Sequence, residues 1–346
     1  MPIAPRTILV YVGLDLIGDA LMKMPFVHAL RETFPDAHIT WLAGKGKTAF
    51  AGPLAPLARG LIDEVIEDAG VGTYVSELLR RPLAGRHFDL VIDTQRRVLT
   101  TLILRRIACD VFVSGAADFL FSDRRPAGRY RKPKTMSRQL LDLIEFASGR
   151  PVTEKYTAVR AESEENVARR LLPDGPTYIG FVPGAGGRHK CWPRQHYIDA
   201  ARYQAAQGRV PVIILGPNEE DWYPELRAAV PSALFPLQAA AAEGEKPSAI
   251  LTIALAARLH VAVANDCGGG HLMAAGLVPL VSIWGPTIFE KAPPQTKTLI
   301  PILCEQFGSS IEDIPVAAIN DAVAHLLAAQ QSGTAPSLGF IPAGVT

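Results

Sequence analysis

Short apolar runs and helical patterns take turns along this chain. Residues 7–14 (TILVYVGL) form a β-rich apolar run that leads to Gly18, and the helical pattern ALMKMPFVHALRETF follows until Pro35 and Asp36 stop it. HITWLAG, LIDEVIED and FDLVIDT give three more short strands, Arg97 to Arg106 reads as a helix, CDVFVSG as a strand and Ser137 to Ser148 as a helix. The stretch SGRPVTEKYTAVRAESEENVARRLLPDGPT is polar, charged and bounded by Pro151 and Pro176, with a helix predicted over Ala161 to Leu172. The rhythm then restarts: YIGFVPGAGG, a helix from Gln195 to Gln207, RVPVIILG, a helix over Glu219 to Ala229, the short apolar run SALFPLQ, a helix from Pro247 to Arg258, HVAVAND, a helix starting at Gly270-His271, and LVSIWGP.

Strands that alternate with helices predict parallel sheets covered on both faces, and the two rounds predict two doubly wound domains. The boundaries read as 1–150, a linker over 151–176, a second domain over 177–330 and a tail over 331–346. A length of 346 residues suits two cores of ordinary size. The composition, 48% hydrophobic and 20% charged, excludes a largely disordered chain. No apolar run is long enough to span a bilayer, and Asp15 and Asp19 interrupt any leader at the start, so a cytosolic protein is expected. Four scattered cysteines, Cys109, Cys191, Cys267 and Cys304, show neither a disulfide framework nor a zinc spacing. A net charge of +1 gives no pull on nucleic acid, whereas the segment Arg124 to Arg138 carries seven basic residues and no acidic one. An anionic partner is expected to meet that patch, unless it is merely a solvated loop.

Ligands of open α/β sheets bind beyond the carboxyl ends of the strands, so the strand-to-helix turns carry the candidate chemistry, in the cleft expected between two such domains. The first, VGLDLIGDALMKMP, sets Gly18 and Asp19 at a helix start. Asp19 there is a general base or a helix cap, and Asp15 reads as a solvated loop acid. The second, FVPGAGGRHKCWP, presents Gly184 and Gly186 before Arg188, His189 and Lys190, either a phosphate cradle or a glycine-rich turn with solvated charges. The third, ILGPNEEDW, offers Glu219 and Glu220 for a ribose or simply as helix-start acids. The fourth, VAVANDCGGGHLMAAG, puts three glycines, Gly268, Gly269 and Gly270, before a helix, with Asn265 and Asp266 as hydroxyl-binding groups; His271 is a ligand contact or a satisfied helix-start histidine. Thr287 in IWGPTIFEKAPP stands on a further strand-end turn. No strand-linked G-x-G-x-x-G occurs at the first turn, which argues against an NAD-dependent oxidoreductase.

In order and spacing, GDALMKMPFVHALRETFPDAHITWL, FDLVIDTQ, VPGAGGRHKCWP, NDCGGGHLMAAG and WGPT resemble the heptosyltransferase family of bacterial glycosyltransferases across nearly the whole chain. The resemblance implies a GT-B fold, an α/β arrangement of two facing Rossmann-like domains with parallel sheets, the first for acceptor and the second for nucleotide sugar. It implies an inverting transfer of heptose, or a related sugar, from a nucleotide-sugar donor such as ADP-heptose to a lipopolysaccharide core or similar glycan. Asp19 matches the general base. Lys190 matches the lysine before Trp-Pro near the donor phosphates, with Arg188 beside it; Asp266 through His271 match the donor loop, and Thr287 matches the phosphate-side turn. Gly18, Asp15, Gln95, Arg124, Arg125, Arg131 and Lys132 fall to the acceptor side. No cofactor or metal is expected beyond the nucleotide sugar; the partners are that donor and a lipid-linked glycan, with peripheral contact at the inner membrane and no nucleic acid. Leu14-Asp15-Leu16-Ile17 replace the small hydroxyl residues often seen before Gly-Asp, and Cys267 stands where serine or threonine is common, so another sugar or a non-catalytic sugar-nucleotide-binding protein is the competing reading.

Overall fold

The computed structural model describes residues 3–155, 161–187 and 190–333. The chain divides into two compact units, 1–155 with 290–292 and 156–289 with 293–346.

The first unit runs β1 (Thr7–Val12), α1 (Ile17–Thr33), β2 (His38–Ala43), α2 (Ala55–Ala58), β3 (Glu64–Ile66), β4 (His87–Asp93), α3 (Val98–Leu104), β5 (Ala108–Ser114) and α4 (Met136–Ser148). Its strands form one parallel sheet in the order β3-β2-β1-β4-β5. The central strands are buried on both faces, which is why β1 and β4 read as continuous apolar runs and not as alternating ones. Order reverses between β1 and β4, so the carboxyl ends of these two strands open a crevice there. The β1 end holds Gly13 to Asp19, and the β4 end holds Asp93 to Arg97.

The second unit contains α5 (Glu162–Leu171), β6 (Tyr178–Val182), α6 (Arg194–Ala206), β7 (Val210–Ile213), α7 (Tyr223–Ala229), α8 (Pro236–Ala242), α9 (Ala249–Ala256), β8 (Val261–Asn265), α10 (Gly268–Ala275), β9 (Leu280–Trp284), β10 (Leu299–Leu303) and α11 (Val316–Ser332). Its sheet is again all parallel, in the order β10-β9-β8-β6-β7, with its reversal between β6 and β8. The strand-end turns at that reversal are 183–192 and 265–271. Helix α5, expected within a linker, packs its Ala168 and the following Leu172 into this unit's core beside Leu251 and Leu255. The run SALFPLQ is no strand: Leu234 makes a single bridge to Val212 and the chain turns into α8. Sequence pattern missed β10 because Pro301 interrupts it; the sheet tolerates that proline because β10 lies at its edge. Among the described residues all four cysteines are free thiols.

Candidate functional site

At the crevice of the first unit, Leu16 is the residue before α1 and Asp19 lies in the first helical turn. No side-chain cap bond forms at this helix start, and the Asp19 carboxylate has no hydrogen bond or ion pair among the described residues. The cap alternative for Asp19 therefore falls away: a half-buried carboxylate stands at the positive end of a helix with its oxygens uncommitted.

Asp15 corrects the sequence reading. It is buried, and every partner of its carboxylate lies inside the fold: Lys23 Nζ is 2.5 Å from Oδ1, while Trp41 Nε1 at 3.1 Å and Thr48 Oγ1 at 3.4 Å donate to Oδ2. Its main chain is clasped as well, its N–H donating to Lys47 O at 3.1 Å and its carbonyl accepting from Ala49 N at 2.9 Å. It is not a solvated loop acid, and its carboxylate points at the core instead of at an acceptor.

At the neighbouring strand end, Thr94 donates through its amide (3.2 Å) and hydroxyl (2.8 Å) to Tyr11 O, tying the β4 turn to β1. A Cβ at Gly13 would meet Gln95 Oε1 and Lys45 Cδ, each 3.7 Å away, so both side chains lie over the turn that follows β1. Arg97 beside Lys45 and burial together lower the Lys45 pKa, burial being the larger cause. Beneath the turn is Asp93, buried, which accepts from Thr101 Oγ1 (2.6 Å), Ser114 Oγ (2.8 Å) and Gln95 N (2.8 Å). Burial outweighs those donors and pushes its carboxyl up to about 6. Sequence reasoning passed over Asp93, Lys23 and Lys45; the only signals were a strand-end acid and a lysine four residues after Asp19.

The basic segment divides. Arg131 and Lys132 are exposed and Arg124 is half-buried, but Arg125 donates to Ser122 O (3.1 Å) and Leu120 O (2.9 Å) and so fastens its own turn. Arg138 pairs with Asp142 (2.8 Å) and Glu145 (2.6 Å) and leaves the patch.

In the second unit the turns after β6, β7, β8 and β9 converge. Lys190 Nζ lies 3.9 Å from Asp266 Oδ2, and Thr287 Oγ1 donates to the same oxygen at 3.2 Å. Burial raises the Asp266 carboxyl, opposed by Lys190 and Thr287. A Cβ on Gly184 would fall 2.4–2.7 Å from the Glu219 carboxylate, so only glycine lets that acid lie against the β6 turn. Glu219 is buried there, whereas Glu220 is exposed at the start of a short 3-10 helix, so the two candidate ribose acids do not share a place. Gly186 borders open space. Arg188 lies outside the described residues.

Asn265 is a second correction. It is fully buried, its Nδ2 donates to Pro183 O (2.8 Å) and Gly184 O (3.4 Å), and its Oδ1 accepts from Trp192 N (3.0 Å). Expected to bind a sugar hydroxyl, it instead staples the end of β8 to the β6 turn and so shapes the site. Gly268, Gly269 and Gly270 do not precede α10 but form its first turn, which brings helix-start amides to the crevice. Gly269 has no room for a side chain, since a Cβ would sit 2.5 Å from Val182 Cγ1. Burial pushes the Cys267 thiol up to about 11 despite the Gly269 and Gly270 amides directed at its sulfur. His271 is buried, and burial alone pulls its pKa down to about 4, so it is a neutral imidazole at pH 7.

Two Rossmann-like units, one with an uncommitted carboxylate at its switch point and the other with helix-start amides, a lysine and a buried acid at its own, have the build of a GT-B glycosyltransferase. The chain belongs to glycosyltransferase family 9 (heptosyltransferase), which residues 77–312 match. It is 31% identical over 303 residues to lipooligosaccharide heptosyltransferase 2 of Haemophilus influenzae, a match covering 82% of this chain and 84% of that protein. Among solved structures, a family 9 glycosyltransferase from Veillonella parvula superposes with a TM-score of 0.70 at 19% identity, covering 93% of this chain and 97% of that one. The ADP-heptose LPS heptosyltransferase II of E. coli superposes with a TM-score of 0.64 at 21% identity, covering 94% and 99%. These superpositions show the fold, and the family makes the protein a glycosyltransferase.

Proposed function

We propose that this enzyme transfers heptose from ADP-heptose to a lipopolysaccharide core acceptor with inversion at the anomeric carbon, the first unit holding acceptor and the second holding donor. The carrying observation is the uncommitted Asp19 carboxylate at the β1–β4 switch point, set in a chain that matches family 9. The donor assignment follows the Haemophilus influenzae heptosyltransferase 2 and the E. coli ADP-heptose enzyme to which the chain is similar.

Asp19 accepts the proton of the acceptor hydroxyl as that oxygen bonds to the anomeric carbon. The bond from that carbon to the diphosphate oxygen breaks, and the electron pair leaves on the nucleoside diphosphate. Lys190 and the positive end of α10 stabilise the charge that grows there. Neutral His271 supplies a hydrogen bond and no charge. Glu219, lodged against Gly184, takes the ribose hydroxyls, and Gln95 with Lys45 orients the acceptor over Gly13. The exposed cations of the 124–134 segment face its acidic groups.

A second reading, transfer of another sugar, is favoured by Asp15 and Cys267, which depart from the family pattern at both turns. Incubation with ADP-heptose and a panel of other nucleotide sugars, with core acceptor present, decides between them by release of nucleoside diphosphate. Inert ADP-heptose beside turnover of another donor would give the second reading. Asp19→Ala is expected to abolish transfer and leave ADP binding intact; transfer at the unmodified rate would remove the assigned base.

A further inference from the structure

The turn after β5 is held in a strained shape. Ala117, Asp118 and Phe119 all adopt left-handed backbone (φ 46, 51 and 67), which is unfavourable for residues with side chains and persists only where the surroundings impose it. At one end of the run Ser114 Oγ accepts from Ala116 N (3.2 Å). At the other Phe119 is fully buried, its ring edge-on to Tyr130 (4.9 Å) and Phe146 (4.8 Å). Asp118 lies between these anchors with its side chain 80% exposed.

The run sets that carboxylate beside Arg96, which stands in the β4 turn one residue beyond Gln95. The Arg96 guanidinium is fixed by groups other than Asp118. It lies over the Tyr130 ring, 5.6 Å from the centroid, and donates to the Tyr130 hydroxyl, which itself donates to Asp142 Oδ2 at 2.7 Å. A Cβ at Gly115 would fall 2.9 Å from Arg96 Nη1, so glycine leaves the room that the guanidinium fills.

The Arg96–Asp118 pair is loose beside its neighbours. Arg96 Nη2 stands 3.5 Å from Asp118 Oδ1, whereas Arg105–Asp123 and Arg138–Asp142 in the same unit close to 2.8 Å. A carboxylate or phosphate that fits a guanidinium takes both prongs of its fork at short range, and Asp118 does neither. As a stability device the pair is poor, because exposed ion pairs contribute little and the backbone that presents Asp118 opposes folding. As an anion site it is ready-made: an arginine held by a ring and a glycine, whose acid partner among the described residues is exposed and poorly seated.

We propose that Arg96 binds an acidic substituent of the acceptor, a carboxylate or a phosphate, and that Asp118 occupies the place of that acid until the acceptor displaces it. Arg96 has this part only if the β1–β4 crevice takes the acceptor, as proposed above. Gln95, the preceding residue, lies over Gly13, so the acid on Arg96 belongs to the reacting sugar of the acceptor or to its neighbour. The incoming acid gains the bidentate contact that Asp118 cannot make, and Asp118 swings into solvent to which it is already open. A neutral glycan gains nothing from Arg96, so the pair selects for acidic acceptors.

Equilibrium titration of the whole protein with a lipopolysaccharide core oligosaccharide freed of its lipid tests this, beside two derivatives, one with its carboxyl groups reduced to alcohols and one with its phosphates removed. The acidic oligosaccharide is expected to bind more tightly than one of the derivatives, and the weaker derivative names the acid. Arg96→Gln is expected to weaken binding of the acidic oligosaccharide about 10- to 100-fold and to abolish its preference over that derivative, the effect of losing a charged hydrogen-bond partner. Asp118→Asn is expected to strengthen that binding about two- to fivefold, the size of an exposed ion pair. A gain of affinity is a result that a merely structural pair does not give. ADP affinity, expected to stay unchanged in both variants, reads whether each has folded. Equal weakening of acidic and neutral oligosaccharides by Arg96→Gln, or unchanged or weaker binding by Asp118→Asn, would overturn the proposal. So would equal binding of all three oligosaccharides to the unmodified protein. Arg96-dependent binding without transfer from ADP-heptose would count against the donor assignment alone, whereas no binding of any oligosaccharide would overturn this proposal together with the acceptor assignment.

Discussion

The ammonium of Lys23, one helical turn beyond Asp19, lies 2.5 Å from Asp15 Oδ1 and 3.3 Å from the carbonyl oxygen of Asp19. One buried lysine thus ties the first turn of α1, which bears the proposed base, to the aspartate clasped between Lys47 and Ala49 at the end of β2. The pair is more than a stability device, because it fixes where Asp19 stands.

Asp15→Asn or Lys23→Met would leave one buried charge without its partner. Each is expected to lower stability by about 3–5 kcal/mol. Each is also expected to reduce kcat on the order of 10- to 100-fold while donor affinity stays unchanged, because a shift of about 1 Å in a reacting group has effects of that size. Denaturant melts, ADP titrations and steady-state kinetics read the three quantities separately. Unchanged kcat in a destabilised variant would make the pair purely structural.

Two buried groups in the two units carry opposite pH dependences. Asp93, raised from 3.8 to about 6, binds its proton more readily folded than unfolded, so its contribution is present below the unfolded value and is lost as pH rises through 6. The loss is about 3 kcal/mol. His271, lowered from 6.5 to about 4, binds its proton more readily when unfolded, so its contribution is present above 6.5 and is lost as pH falls through 4. Between pH 4 and 6, amide exchange protection is expected to fall with rising pH in the β1–β4 sheet and to grow in the β6–β8 sheet. Asp93→Asn should flatten the first trend and His271→Gln the second; a trend that persists in its own variant belongs to some other group.

Gly184→Ala places a methyl group 2.4–2.7 Å from the Glu219 carboxylate. The acid must move, and ADP is expected to bind roughly 10- to 100-fold more weakly, the effect of losing a charged hydrogen-bond partner. Glu219→Gln is expected to show a smaller loss of the same sign, and Glu220→Gln none. Calorimetric titration with ADP ranks the three, and a loss confined to Glu220→Gln would reverse the assignment.

Lys190→Met removes the cation beside Asp266 and is expected to lower kcat/KM at least tenfold, chiefly through kcat, since charge on the leaving diphosphate grows only as the bond breaks. A change in KM alone would place the lysine in ground-state binding.

Strand and helix placement was legible because each domain's central strands are buried on both faces and so write themselves as apolar runs between helical patterns. Legibility ended where a local rule met a tertiary exception. Pro301 hid an edge strand, and the polar surface of α5 hid the one face that Ala168 and Leu172 turn to the core. In the site, the order of Gly18-Asp19, Lys190 and the Gly268–His271 turn already pointed to glycosyl transfer. What each polar residue does there was not written locally. Asp15, Asn265 and Arg125 looked like ligand-binding groups because strand-end turns carry such groups, and all three turned out to bind the protein itself. Asp93 and Lys23 looked ordinary because their meaning comes from partners 21 and 8 residues away, Ser114 and Asp15.

The sequence by itself determined two parallel α/β units and the strand-end turns where the candidate residues gather, since hydrophobic periodicity and glycine spacing are properties of neighbours along the chain. Only the tertiary structure decided which carboxylate is uncommitted and which is locked, and that Glu219 and not Glu220 lies against Gly184. Those outcomes depend on burial and on hydrogen-bond partners brought together across the sheet, and no local pattern records them.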